Sequence, residues 1–148
     1  MTMQYAARLH RKVQGFTLVE LMVVVAVVAL LTSIAVPSYF SYVQRSRVPV
    51  GLDALQSYFA RMEQRFQDVG SYANGAACAV SLPNADNYAM NCSLSGGGSG
   101  FTATATGNSK LAGYAYTINH NGVRTTTAHP KGLPGSNCWS IRGGSCDM

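Results

Sequence analysis

Three kinds of residue in this 148-residue chain could do chemistry: four cysteines, three histidines, and a glutamate set inside an apolar run. The cysteines, Cys78, Cys92, Cys138 and Cys146, lack the Cys-x-x-Cys spacing with which thiolates share a metal or exchange a disulfide. An even number in an exported domain suits two disulfides, and three connectivities are open. Cys78–Cys92 with Cys138–Cys146 is the favoured combination, because each bridge closes a local segment that otherwise lacks regular structure. A loop of about 15 residues closed in this way gains roughly 3 kcal/mol in the chain-entropy account. The histidines His10, His120 and His129 are scattered: one near the N-terminus, one at a turn and one before Pro130. They come with no nucleophile elbow and no Gly-rich phosphate loop with its Lys. The segment SGGGSG, Ser95–Gly100, has neither that Lys nor a following helix and reads as a flexible turn. No catalytic set, cofactor or metal site is expected.

Glu20 is the only ionisable side chain in FTLVELMVVVAVVALLTSIAV, residues 16–36. A helix of that length is roughly 30 Å long, the thickness of a bilayer's hydrocarbon core. A carboxylate there costs a few kcal/mol on insertion scales, so it is expected to have a partner. Arg8, Arg11 and Lys12 precede the run, which places the N-terminus in the cytoplasm. They also account for much of the formal net charge of +5, since the rest of the chain has eight Lys/Arg against six Asp/Glu. The basic pI therefore does not imply a nucleic-acid-like surface. An ordinary secretory signal is cut after its apolar run at small residues, and Pro37, Ser38, Tyr39 and Phe40 provide no such site.

The distinctive sequence lies before the run, in KVQGFTLVE, Lys12–Glu20. It resembles the type IV pilin and pseudopilin family, whose precursors carry a short basic leader, a Gly, then Phe-Thr-Leu-Val/Ile-Glu opening a long apolar helix. The resemblance implies cleavage between Gly15 and Phe16 by a prepilin peptidase on the cytoplasmic face, followed by N-methylation of Phe16. It implies that Glu20 pairs with the Phe16 amine of a neighbouring subunit, an attraction that low dielectric strengthens. Pro37 matches the family too. Other pilin subunits, the peptidase/methylase and an inner-membrane assembly platform are the implied partners. The implied location is a single pass through the inner membrane with a periplasmic headpiece, then an extracellular pilus.

These residues need elements to position them. After the leader (1–15) and the hydrophobic helix (16–36), residues 37–69 have an amphipathic period: Leu52, Leu55, Phe59, Met62, Phe66 and Val69 recur at spacings of three and four. Pro37 should kink the helix, and Pro49 with Gly51 predicts a second bend or break near 48–52. From Gly70 to the end the composition turns to Gly, Ser, Asn, Thr and Tyr. Strands are predicted at Asn87–Leu94, Phe101–Thr106, Tyr114–Asn119 and Val123–Ala128, the last two joined through Asn121-Gly122. Two-residue alternation suits an antiparallel sheet with one wet face and one laid on the helix. The fold class is α+β, and the resemblance implies the type IV pilin fold with the C-terminal disulfide loop, CWSIRGGSC, exposed.

The tail from Gly113 is similar to the minor pilins needed for type IV pilus assembly, which makes a minor pilin the expected role. A DNA-uptake receptor is the main alternative, with a major pilin or a type II secretion pseudopilin behind it. For DNA, Lys110, Arg124, Lys131 and Arg142 could form a basic strip, with Trp139 as a stacking aromatic.

Overall fold

A computed structural model describes residues 15–147, so the leader cations Arg8, Arg11 and Lys12 and also His10 lie outside the described residues. The chain divides into two compact units between Tyr39 and Phe40. Helix α1, Leu18–Val69, contributes residues to both.

In the N-terminal unit every side chain from Gly15 to Tyr39 is exposed, and this part of α1 is long and apolar enough to cross a membrane. Its polar side chains are satisfied locally. Thr32 donates its hydroxyl to the Val28 carbonyl at 2.9 Å, and Ser33 donates to Leu30 at 2.7 Å. Back-bonding of this kind lets a hydroxyl enter hydrocarbon without an unmet donor. Pro37 is assigned within the helix.

The second unit begins at Phe40 with the rest of α1 and continues into strands. β1 (Ala73–Asn74) and β2 (Ala77–Cys78) form a short ladder. β3 (Tyr88–Ser95), β4 (Gly100–Gly107), β5 (Ala115–Asn119) and β6 (Arg124–Ala128) form an antiparallel meander in that spatial order. All four lie within a residue or two of the predicted positions. Pairing of Ala103 with Ile118 and of Ala105 with Tyr116 sets one face of the sheet. Phe101, Ala103, Ala105, Tyr116 and Ile118 on that face are buried with Val48, Leu52, Leu55, Tyr58 and Met62 of α1. The small Ala103 and Ala105 leave room for the helix, and Phe101 takes the edge of Tyr72 at 4.8 Å and of Tyr58 at 6.2 Å. Thr102, Thr104 and Thr106 fall on the other, wetter face.

Two expectations about α1 need correction. The break that Pro49 and Gly51 predict near 48–52 does not occur: α1 is assigned through both residues without interruption. Gly51 is there for packing, because a Cβ at that position would stand 2.6 Å from the Tyr88 ring. The Tyr88 hydroxyl also donates to the Val48 carbonyl at 3.4 Å, so a tertiary contact overrides weak helix propensity. The apolar stripe ends early as well. Val69 is 55% exposed, and Tyr58 supplies the burial instead. Gly70, with φ of 74°, then stops the helix by returning its N–H to the Phe66 carbonyl at 2.7 Å.

Candidate functional site

The start of α1 is built around Thr17 and Glu20. The Thr17 backbone N–H and hydroxyl both donate to Glu20 Oε2 at 3.0 Å, and the Glu20 N–H donates back to Thr17 Oγ1 at 3.2 Å. This reciprocal capping box satisfies donors that the first helical turn otherwise leaves unmet. The carboxylate thus has a partner inside its own chain, a use of Glu20 that the sequence reading missed although Thr-x-x-Glu before an apolar run signals it. Gly15 and Phe16 precede the box, and Phe16 is 87% exposed.

The C-terminal loop is fastened to the sheet by side-chain hydrogen bonds. The structure pairs Cys78 with Cys92 and Cys138 with Cys146. Cys78–Cys92 ties β2 to β3, and Cys138–Cys146 closes the tail. Between the last two cysteines, Trp139 is 2% exposed and its indole N–H donates to the Thr117 carbonyl at 2.9 Å. Thr126 bridges the loop to β6, donating to the Cys138 carbonyl and accepting from the Ser140 N–H. Tyr116 donates to the Ser140 carbonyl at 2.8 Å, and burial raises its phenol well above the ordinary value, which keeps it a donor. Asp147 collects the turn: its Oδ2 accepts the N–H groups of Ile141 and Arg142, both at 2.8 Å. Those donors, led by Arg142, hold its carboxyl below the usual range. Nothing in the sequence singled Asp147 out.

These contacts redraw the expected DNA strip. Trp139 is no exposed stacking platform, because it is sealed under the Arg124 guanidinium at 4.9 Å. Arg124 is itself held by Gln56 Oε1 at 2.8 Å, so it serves the packing of the tail. Lys110, Lys131 and Arg142 are exposed and come to one end of the headpiece. The Lys110 carbonyl accepts from Gln44 of α1. Lys131 lies beside the tail, where the Gly132 carbonyl accepts from Gly144. His129 reinforces that contact: its Nδ1 accepts from the Lys131 N–H at 3.0 Å, which leaves Nε2 to donate to the Ile141 carbonyl at 3.2 Å. Arg142 shares a cleft with Tyr42, Arg45 and Ser46 of α1. Arg45 is therefore a fourth cation at this end, invisible to a reading of the tail alone.

An apolar stem opened by a capped glutamate, a helix laid on a four-strand meander and a disulfide-closed tail together define a type IV pilin. The chain belongs to the family described as type IV minor pilin ComP, DNA uptake sequence receptor, whose model matches residues 37–132. Residues 10–36 match the prokaryotic N-terminal methylation motif. Among curated relatives, the type IV major fimbrial protein FimA of Dichelobacter nodosus (strain VCS1703A) is 29% identical over 126 residues, covering 84% of this chain and 71% of that protein. Fimbrial protein EcpC of Eikenella corrodens is 31% identical over 94 residues, covering 63% and 61%. The crystal structure of the Neisseria meningitidis non-core minor pilin PilV shares the fold, with a TM-score of 0.50 at 19% identity over 66% of this chain and 99% of that one.

Proposed function

We propose that this chain is a minor pilin that is cut between Gly15 and Phe16, methylated on Phe16, and held in the inner membrane by residues 16–36 with its headpiece in the periplasm. It then enters a type IV pilus through that stem and presents a headpiece that binds double-stranded DNA. In the filament, Glu20 leaves its capping box to pair with the Phe16 amine of a neighbouring subunit. That amine is generated by the cut one residue before the cap.

The observation that supports DNA binding is the gathering of Lys110, Lys131 and Arg142, exposed and joined by Arg45, at one end of the headpiece. Each cation that neutralises a phosphate releases a counterion, so binding weakens with salt. Three to four such contacts predict a slope near −3 in log affinity against log salt, and Lys131→Gln or Arg142→Gln should each flatten it by about 1. A salt titration of the purified full-length subunit with duplex DNA tests this. Binding that ignores salt, or that survives loss of both cations unchanged, refutes it. The FimA relatives, named as major fimbrial proteins, favour a shaft subunit as the second reading. Deletion of the gene separates the two, because losing a shaft subunit removes the filament's bulk whereas losing a minor subunit acts on assembly or uptake.

A further inference from the structure

The two ends of the headpiece differ in charge and in what lies beside the charge. Around Arg61 and Arg65 of α1, Glu63 and Asp68 match the cations two for two. At the end that begins with Phe40, Arg45 and Arg47 of α1 are joined by Lys110, Lys131 and Arg142 from three separate loops. The acids there are Asp86 and Asp147, and Asp147 is already committed to the backbone of Ile141 and Arg142. Beside these cations lie two largely solvent-exposed aromatic side chains, Phe40 at 63% and Tyr42 at 72% exposure. Tyr42, Arg45 and Arg142 line one cleft of about 640 Å³.

Chain connectivity alone fixes what this end is near. Phe40 follows the apolar run by a few residues. At 1.5 Å per helical residue, Phe40 and Tyr42 fall within about 10 Å of the end of the run and Arg45 within about 15 Å. Exposed aromatics at that depth suit the headgroup layer, and cations within roughly a Debye length of a charged surface feel its potential. Open aromatics with balanced charge would suit any interface, and cations alone would suit any polyanion. The two together, next to a membrane-crossing run, select a lipid surface.

We propose that the Phe40 end of the headpiece is a docking surface for anionic phospholipid headgroups, engaged while the subunit waits in the bilayer and released when it is drawn into the filament. The proposal rests on the reading of residues 16–36 as a retained membrane stem. It adds that Lys110, Lys131 and Arg142 are occupied by lipid before assembly, so that extraction into the pilus uncovers the cations offered to DNA.

The full-length processed chain, reconstituted in nanodiscs of phosphatidylcholine alone or mixed with phosphatidylglycerol, provides the test. Amide exchange across residues 109–111, 129–132 and 141–147 should be slower on the anionic discs, by roughly fivefold for each cation engaged. Salt raised to about 0.5 M should erase the difference, as should the triple change Arg45→Gln, Lys131→Gln and Arg142→Gln. Amides of β4 should stay equally protected in every sample, which reports an intact fold. Should the triple variant lose β4 protection, salt reversal on the unaltered chain decides alone. Equal exchange on neutral and anionic discs, with the chain inserted, overturns the docking proposal and leaves the stem intact. Failure to enter either disc overturns the stem reading and this proposal with it. Protection equal on both disc types that appears only on adding duplex DNA assigns these cations to DNA alone and overturns the lipid role.

Discussion

The stem and the headpiece solve opposite problems with the same helix. From Gly15 to Tyr39 no residue is buried, and the only carboxylate, Glu20, is tied into a capping box. From Phe40 onward the helix face around Leu52, Leu55, Tyr58 and Met62 disappears under a sheet, and the tail is pinned by a disulfide, a buried indole and a carboxylate nest. On the function proposed above, the stem's stability comes from what surrounds it, lipid first and other stems later. The headpiece holds itself together. A substitution in the stem should therefore register in assembly and hardly at all in folding, and one in the headpiece the reverse.

Glu20→Val is expected to show that division most visibly. It makes the stem more apolar, so membrane insertion is kept, but incorporation into filaments should fall to near background in sheared-pilus preparations. Thr17→Ala removes the cap without removing the carboxylate. It should cost the helix start about 1 kcal/mol and leave incorporation largely intact. Equal loss in the two variants would mean that capping, not pairing between subunits, is what Glu20 does. The next largest effect belongs to the core. Phe101→Ala should destabilise the headpiece by about 3–5 kcal/mol, lowering its Tm by more than about 10 °C. Val25→Ala in the stem should leave the same Tm within the effect of about 0.5 kcal/mol. Thermal denaturation followed by near-ultraviolet circular dichroism reads both.

Replacing Cys138 and Cys146 together by Ser should cost about 2–4 kcal/mol and free the tail to exchange. Alkylation of the unfolded, unreduced wild-type chain should find no free thiol. A smaller effect is expected of Gly51→Ala, about 1–3 kcal/mol from the forced shift of the Tyr88 ring. Combining it with Tyr88→Ala should add nothing to the loss from Tyr88→Ala alone, because the clash is then gone. The smallest effect is that of pH on the tail. The Asp147 carboxyl is held below its ordinary value of 3.8. Its contribution is therefore complete at neutral pH and is lost only as pH falls below that value and through the folded-state one. Exchange at the Ile141 and Arg142 amides, corrected for intrinsic rates, should rise in that window. Asp147→Asn should show the faster exchange already at neutral pH and no further step.

The same division decides what could be read from the sequence. The apolar helix and the methylation motif are legible because their physics is one-dimensional: an apolar run whose one charge is Glu20, a basic approach and the Gly-Phe junction need no tertiary knowledge. The meander was legible for a similar reason, since strict alternation in FTATAT and the Asn121-Gly122 turn are local signals. What failed was whatever depended on a distant partner. Pro49 and Gly51 read as a break because the Tyr88 ring that requires a glycine is far away in sequence. Trp139 read as a surface aromatic because nothing local reveals that Thr117 accepts its N–H and Arg124 covers its face. Arg45 went unnoticed as a member of the cationic end because the loop that completes it is the C-terminal tail.

The central claim is that residues 16–36 stay on the subunit as its stem. Intact-mass and N-terminal fragment analysis of the protein recovered from membranes and sheared pili tests it directly. The account predicts a chain beginning at a methylated Phe16, both disulfides closed, with the leader retained when Gly15 is replaced by a bulkier residue. A mature chain that begins beyond Val36 would contradict it, since neither membrane parking nor assembly through stems could then occur.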